Sequence, residues 1–422
     1  MRIEIICTGD EVLSGKTVNT NYSHMARRLQ EVGLDVLWGT TVGDARESLV
    51  EAFRLASERA DAVIVNGGLG PTVDDLSQEV AAQAAGVNLV LNERWLKTIE
   101  SFYEARGRTM PPNNRKQAML PEGSEFIDNP IGTACGFAIN IGNARFMFTP
   151  GVPREIRLML DEEIIPRLLT MRGGKSEVRL LRFHSFGLGE SRVDNMLDGI
   201  EDLADGGEVK LGFQAHYPQL ETKLFATGED ADELERRLAP VVSAVRERLG
   251  SYLLAEGDDT LEGNVIANLS IERASLAIAE VGTQGRVAGR MAAIDSNGTV
   301  FKRGALGMSV DALAKATDAE LTSNEPSMES ARVLADAVRQ NSNTTHGLAV
   351  VIDTGAAEGW VRIGISRADD PTPIVREACI VGGPDRVRTG GVEMALDGLR
   401  RLLSGQSIDD PVDFEKTVAA NN

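Results

Sequence analysis

Over the first 170 residues, short apolar runs rich in β-branched residues alternate with segments of helical period, an order that few folds accommodate. Arg2–Thr8 reads as a strand and Asn21–Val32 as an amphipathic helix closed by Gly33. Asp35–Thr41 reads as a second strand, with a helix near Ala45–Arg59. Ala62-Val63-Ile64-Val65 has no polar face, the pattern of a strand buried on both sides. A helix from about Asp75 to Ala85 follows. Strand alternating with helix implies right-handed βαβ units and a mostly parallel sheet in a layered α/β domain. Such sheets bind ligands beyond the carboxyl ends of their strands, here the loops after Thr8, Thr41, Asn66 and Phe148.

The next stretch changes character. Ser176–Phe186 reads as a strand and Gly189–Leu197 as a helix. Val209–Phe213 and Glu221–Thr227 read as strands, and Ala231–Leu249 as a long helix. This is a small α+β module. A third module opens near Asp258 with a helix over Thr260–Ser270 and closes with one over Gly391–Leu403. The expected domains are therefore 1–172, 173–256 and 257–405, with a flexible, acidic and polar tail over 406–422.

Charge and cysteine usage exclude several function classes. A formal net charge of −19 opposes nucleic-acid binding, which depends on neutralising phosphates. A small anion held by backbone N–H groups remains compatible with that charge. No apolar run reaches the roughly 18–20 residues of a membrane span, and the first residues read as a strand instead of a signal peptide. Cys7, Cys135 and Cys379 are scattered and odd in number, which fits a reducing cytoplasm. His24, His184, His216 and His346 lie in separate segments without zinc spacing, and neither a Walker loop nor a GxSxG elbow is present. The expectation is a cytoplasmic protein without membrane or nucleic-acid partners.

Four loops carry candidate chemistry. Asn66-Gly67-Gly68-Leu69-Gly70-Pro71-Thr72-Val73-Asp74-Asp75 links a buried strand to a helix. Its glycines can admit a phosphate close to the backbone, with Thr72 or Asp74 capping the helix. The adjacent carboxylates Asp74 and Asp75 suit a phosphate site only if a divalent cation bridges the two. Thr8-Gly9-Asp10-Glu11 also ends in two carboxylates. Asn129-Pro130-Ile131-Gly132-Thr133-Ala134-Cys135-Gly136 is a small-residue loop. Thr149-Pro150-Gly151-Val152-Pro153-Arg154-Glu155 follows a strand and opens a helix. The candidate ligand-binding residues are thus Thr8, Gly9, Asn66, Gly67, Gly68, Gly70, Thr72, Gly132, Thr133, Pro150 and Gly151. The bland alternative for each loop is a turn with a helix cap.

The runs GDEVLSG, NGGLGPTVDDLSQEV, NPIGTACGF and FTPGVPREI, with Asn113–Ala118 between the second and third, resemble the CinA family. The first domain is similar to the molybdopterin-binding domain of molybdenum-cofactor biosynthesis proteins. Phe186-Gly187-Leu188-Gly189-Glu190-Ser191 resembles the run that opens the family's middle domain. Cys135 departs from the family's proline, and nothing adjacent in sequence would make it a catalytic thiol. The resemblance implies a three-layer α/β molybdopterin-binding-like domain, a small α+β domain and a C-terminal α/β CinA-type domain. It also implies metal-dependent hydrolysis of a small-molecule nucleotide, ADP-ribose or a relative, to AMP and ribose phosphate. Asp74, Asp75 and Lys116 are then the catalytic candidates. Asp10, Asp74, Asp75 and Glu155 are the candidate ligands of a divalent metal (Mg, Mn or Co).

In the C-terminal domain the resemblance partly fails. Active relatives carry a nicotinamide-mononucleotide deamidase with a serine nucleophile in an Ala-Glu-Ser-Cys-Thr-Gly-Gly run. Here the run is Ala279-Glu280-Val281-Gly282-Thr283-Gln284-Gly285, and valine cannot attack an amide. The family's glycine-rich turn is reduced to Asp353–Gly359, and its tyrosine is lost near Asp295. Lys302 stands where the family lysine is expected. Deamidase activity is expected to be absent, and a homodimer is the default assembly. The rival expectation is a non-catalytic sensor or scaffold that binds a nucleotide or molybdopterin.

Overall fold

The computed structural model describes residues 1–173, 177–205, 209–228, 230–370 and 372–416. The chain divides into two compact units, Met1–Val178 and Arg179–Asn422.

In the first unit the apolar runs form β1 (Ile3–Thr8), β2 (Val36–Val42) and β3 (Ala62–Asn66). Between and after them lie α1 (Asp10–Leu13), α2 (Thr20–Glu31), α3 (Arg46–Arg59) and α4 (Ser77–Ala85). β4 (Leu89–Leu91) pairs antiparallel with β5 (Met119–Pro121) across the intervening α5 (Glu93–Glu104). β6 (Glu125–Ile127), β7 (Gly136–Ile141) and β8 (Ala144–Thr149) precede α6 (Pro153–Met159) and α7 (Ile165–Arg172). The main sheet runs β2-β1-β3-β8-β7-β6. Its first four strands are parallel, whereas β7 and β6 join antiparallel.

The pleat of β1 sorts its side chains between two helical layers. Ile3, Ile5 and Cys7 pack with Met25 and Leu29 of α2 and with Ile156 and Leu168 of α6 and α7. Ile6 packs on the other side with Phe53 of α3 and Val80 of α4. This is the mostly parallel α/β sheet expected from the alternation, in the three-layer form that the resemblance implies. Glu4 is fully buried in β1, where Arg59 (2.8 and 2.6 Å) and the Thr40 hydroxyl (2.7 Å) donate to it. Without those partners a carboxylate there would cost several kcal/mol.

β9 (Glu177–Phe186) leads into the second unit, and Ser176, its expected first residue, lies outside the described residues. After α8 (Glu190–Met196) come β10 (Val209–His216), β11 (Gln219–Gly228), α9 (Ala231–Leu249) and β12 (Leu253–Glu256). These form a four-stranded sheet, β10-β11-β9-β12. α10 (Leu261–Ile271), β13 (Leu276–Val281), α11 (Arg286–Ile294) and β14 (Phe301–Gly307) follow. α12 (Val310–Ala316), α13 (Met328–Asn341), β15 (His346–Thr354), β16 (Glu358–Arg367), β17 (Ile374–Val381) and α14 (Pro384–Leu403) complete the unit. The five-stranded sheet runs β14-β13-β15-β16-β17, parallel through its first three strands and antiparallel beyond.

The tail differs from the frayed segment expected. Residues 406–416 are packed, with Ile408 and Val412 buried, while 417–422 lie outside the described residues. The acidic groups that read as solvated are counter-ions for arginines: Asp410 for Arg401, and Glu415 for Arg376 (2.9 Å). Among the described residues, no helix is long and apolar enough to cross a membrane.

Candidate functional site

The carboxyl ends of β1, β3 and β8 are tied at their tips by backbone bonds. Gly67 N donates to Thr149 O (2.9 Å), and Gly9 N to Val42 O (3.1 Å) at the end of β2. Beyond these ends lies a cleft of about 620 Å³. Of the sequence-derived candidates, Thr8, Gly9, Gly67, Gly68, Gly70, Asp74, Asp75, Thr133, Pro150, Gly151 and Glu155 line it. Asn66 sits beneath it, where its amide donates to Pro150 O (2.7 Å) and Thr149 Oγ1 (3.2 Å) and so clamps β3 to β8.

The glycine loop folds against its own neighbours before it meets any ligand. Gly67 and Gly68 have φ of +112° and +70°, which L side chains rarely adopt. A Cβ on Gly67 would stand 2.5 Å from Thr8 Oγ1, and one on Gly68 would strike Ser77 Oγ. One on Gly70 would strike the Asp75 carboxylate, and one on Gly132 that of Glu155. Ser77 binds the loop twice, from its hydroxyl to Gly67 O (2.9 Å) and from its amide to Gly68 O (3.1 Å). Gln117, braced by Asn114 (2.8 Å), donates to Leu69 O (3.3 Å). Thr8 Oγ1 is buried at the cleft wall without a hydrogen-bond partner.

Several expected roles change here. Thr72 and Asp74 do not cap the helix: α4 starts at Ser77, after Leu76, with no side-chain cap. Instead Asp75 accepts from the Thr72 amide (2.8 Å) and hydroxyl, closing a turn of its own. Lys116 does not line the cleft, because its ammonium donates to Thr72 O (2.9 Å) and lies 3.6 Å from Glu79. Asp10 is likewise outside the lining and exchanges reciprocal bonds with Asp44, from Asp10 N to Asp44 Oδ2 (3.0 Å) and from Asp44 N to Asp10 Oδ1 (3.2 Å). Glu155 accepts from Asn129 Nδ2 (2.8 Å), and burial pushes its carboxyl up. Asp10, Asp74, Asp75 and Glu155 do not converge: among the described residues, no three His, Cys, Asp or Glu side chains form a group able to hold a metal.

Asp44, which no sequence pattern singles out, lines the cleft together with Glu11 of the first candidate loop. Burial pushes the Asp44 carboxyl up, nearby Asp10, Glu11 and Asp74 push it further, and the Asp10 amide opposes them. Exposed Asp74 is held below the ordinary range by Thr72, with a smaller contribution from Lys116. Carboxylates and glycine backbone thus share the cleft lining. Cys135 is buried and its thiol pushed up to about 12, so it is no nucleophile.

Gly151 offers a clean probe. Its added Cβ would meet only Gly67 Cα, at 3.6 Å, an ordinary van der Waals contact, and it would stand in the cleft wall. Gly151→Ala is expected to shift stability by no more than about 0.5 kcal/mol while weakening ligand binding. Calorimetric titration with ADP-ribose checks this, and unchanged affinity would remove the glycine wall from the site.

In the second unit Val281 ends β13, buried among Ala279, Leu313 and Val351. Thr283 lies in the turn that follows the strand. It is wholly buried and donates to Glu280 Oε2 (2.5 Å). Glu280 also accepts from the Val287 (3.1 Å) and Ala288 (2.9 Å) amides, filling the start of α11 with the chain's own carboxylate. Lys302 donates to Gly298 O (2.7 Å), and Asp295 accepts from the amides of Thr299, Val300 and Phe301. Both side chains hold local turns.

Residues 4–170 match the family described as "Probable molybdopterin binding domain", and residues 181–255 match "Damage-inducible protein CinA KH domain". The first unit, with its six-stranded sheet and carboxyl-end cleft, is therefore a molybdopterin-binding-type α/β domain. A "CinA-like protein" from Shewanella amazonensis is 33% identical over 97% of this chain and 97% of its own length. Another, from Shewanella loihica, is 40% identical over 72% of this chain and 70% of its own length. The solved structure of "the protein CinA with unknown function from Thermoplasma acidophilum" is 35% identical, covering 39% of this chain and 97% of that one, with a TM-score of 0.36. The chain belongs to the CinA-like protein family.

Proposed function

We propose that the first unit binds a small-molecule nucleotide across the cleft and hydrolyses its pyrophosphate, with ADP-ribose or a relative as substrate. The observation that carries this reading is one cleft lined by both glycine backbone and carboxylates. Gly151 lets phosphate oxygens approach the backbone without side-chain obstruction, beside the turn that Gly67 and Gly68 make possible. Thr8 Oγ1, lacking a protein partner, supplies a further hydrogen bond to a ligand oxygen.

A divalent cation fits the donor set only in shared form. Magnesium-type ions are commonly held by one or two carboxylates together with substrate phosphates and water. Asp74, the most exposed acid of the glycine loop, and Glu11 are the groups that would hold it, since Glu155 is engaged by Asn129 and Asp75 by Thr72. When bound, such an ion polarises a phosphoryl oxygen and lowers the pKa of water. Water adds to one phosphorus as the bridging P–O bond breaks, leaving two phosphate monoesters. Asp44, whose raised pKa improves it as a base, accepts the proton that water loses.

A panel of dinucleotides incubated with Mg, Mn or Co, and in excess chelator, tests this reading. ADP-ribose is expected to yield AMP and ribose phosphate only with metal, and Asp44→Asn to lower turnover by about 10²–10⁴-fold. Hydrolysis that survives chelation would sink the metal. A second reading, a non-catalytic nucleotide or molybdopterin sensor, is favoured by the structural engagement of Asp75 with Thr72 and of Glu155 with Asn129. It gains the field if ADP-ribose binds but is never cleaved. In either reading the chain works in the cytoplasm as a homodimer, and equilibrium sedimentation checks that assembly.

A further inference from the structure

The run Phe186-Gly187-Leu188-Gly189-Glu190-Ser191 contributes nothing to the cleft, and its glycines have another occupant. Gly187 has φ +83°, and a Cβ there would strike Val412. Its carbonyl accepts from Asp413 N (2.8 Å). The Asp413 carboxylate in turn accepts from Gly189 N (2.7 Å) and Arg192 Nη1 (2.6 Å), one oxygen for each. Phe414 packs edge-on to Phe186 (5.6 Å between ring centres) and to Tyr217 (5.2 Å).

The same residues add a short strand to the outer edge of β17. Val381 N donates to Phe414 O (3.3 Å), Lys416 N to Cys379 O (2.8 Å), and Glu415 bridges Ile380 antiparallel. Outside this ladder Glu415 pairs with Arg376 (2.9 Å) and Lys416 with Glu358 (2.7 Å). A sheet edge left bare would invite pairing with other chains.

We infer that residues 412–416 are a latch, with the Phe186–Ser191 run as its receptor, fastening the β9–β12 module to the β13–β17 module. The ion pairs flank the strand, and Val412 and Phe414 supply the apolar grip. Because only one short segment is involved, it opens as a local unit without unfolding either sheet. Opening bares the β17 edge and Cys379, which is 2% exposed with the latch closed and has Glu358, Glu415 and Lys416 as its charged neighbours.

Thiol reactivity and amide exchange test the latch. A chain ending at Pro411 keeps the Asp410–Arg401 pair and loses the latch. Its reaction with Ellman's reagent is expected to label about one thiol that the full chain protects, and Cys379→Ser should abolish that label. Asp413→Ala removes two charge-assisted bonds and should speed exchange of the 187–192 amides about tenfold or more, which decides the matter if the shortened chain does not fold. Cys379 protected equally in both chains, or exchange at 187–192 unchanged in Asp413→Ala, would overturn the latch.

Discussion

Ammonia release from nicotinamide mononucleotide by the purified chain is expected to fall several orders of magnitude below the usual enzymatic range of roughly 1 per second or more. A serine amidase stripped of its nucleophile keeps only binding and oxyanion contributions. Val281, where the resemblance places the nucleophile, packs into the core with residues of α12 and α13. The hydroxyl two residues on, Thr283, is fully buried and spends its proton on Glu280. The amides at the start of α11 that could receive an anion are taken by that same carboxylate. Lys302 is bound to Gly298 O, and the segment near Gly355 is a tight hairpin turn closed by Gly355 N to Glu358 O (2.9 Å). Val281→Ser alone should therefore restore nothing. Turnover near 1 per second would mean that a different group performs the attack.

Asp397→Ala should lose about 3–5 kcal/mol of stability, the usual result of stripping a buried ion cluster of one partner. Asp397 is 1% exposed on α14 and accepts from Arg400 Nε (2.8 Å) with one oxygen and from Arg401 Nε (2.6 Å) with the other. Arg400 and Arg401 are themselves buried. Burial favours neutral Arg401, but Asp397 and Asp410 outweigh it and hold the guanidinium charged. Removing Asp397 leaves Arg400 facing the Ser251 carbonyl and Arg401 only Asp410 and the Ser407 carbonyl, with no shared anion between them. Urea unfolding of the full chain, followed by circular dichroism, measures the loss. A change under about 1 kcal/mol would show that solvent reaches the cluster far more readily than its burial implies.

The N-terminal architecture was legible because its signal is local. The Ala62–Val65 run of β3 is apolar on both faces, so no other burial satisfies it, and α2 and α3 fall within a residue of their expected bounds. The parallel sheet in turn pointed to the loops at its carboxyl ends, and eleven of the candidates line the cleft there. What each side chain does was not legible. Thr72, Asp75, Lys116 and Glu155 have the residue types of a phosphate or metal site, yet Thr72 and Asp75 bond each other, Lys116 bonds Thr72 O, and Asn129 bonds Glu155. Asp44 was passed over because one carboxylate after a strand is unremarkable until Asp10, Glu11 and Asp74 are folded against it.

The same division separates composition from partnership along the whole chain. Periodicity and glycine placement are properties of neighbouring residues, and the sequence alone determined the α/β class and the crevice loops. Whether a charge is solvated depends on residues distant in sequence, and only the tertiary structure decided that. Asp413 reads as one more acid in a polar tail. It is a helix-start anion for Gly189 and Arg192, more than 220 positions earlier, because the fold brings that tail across β17.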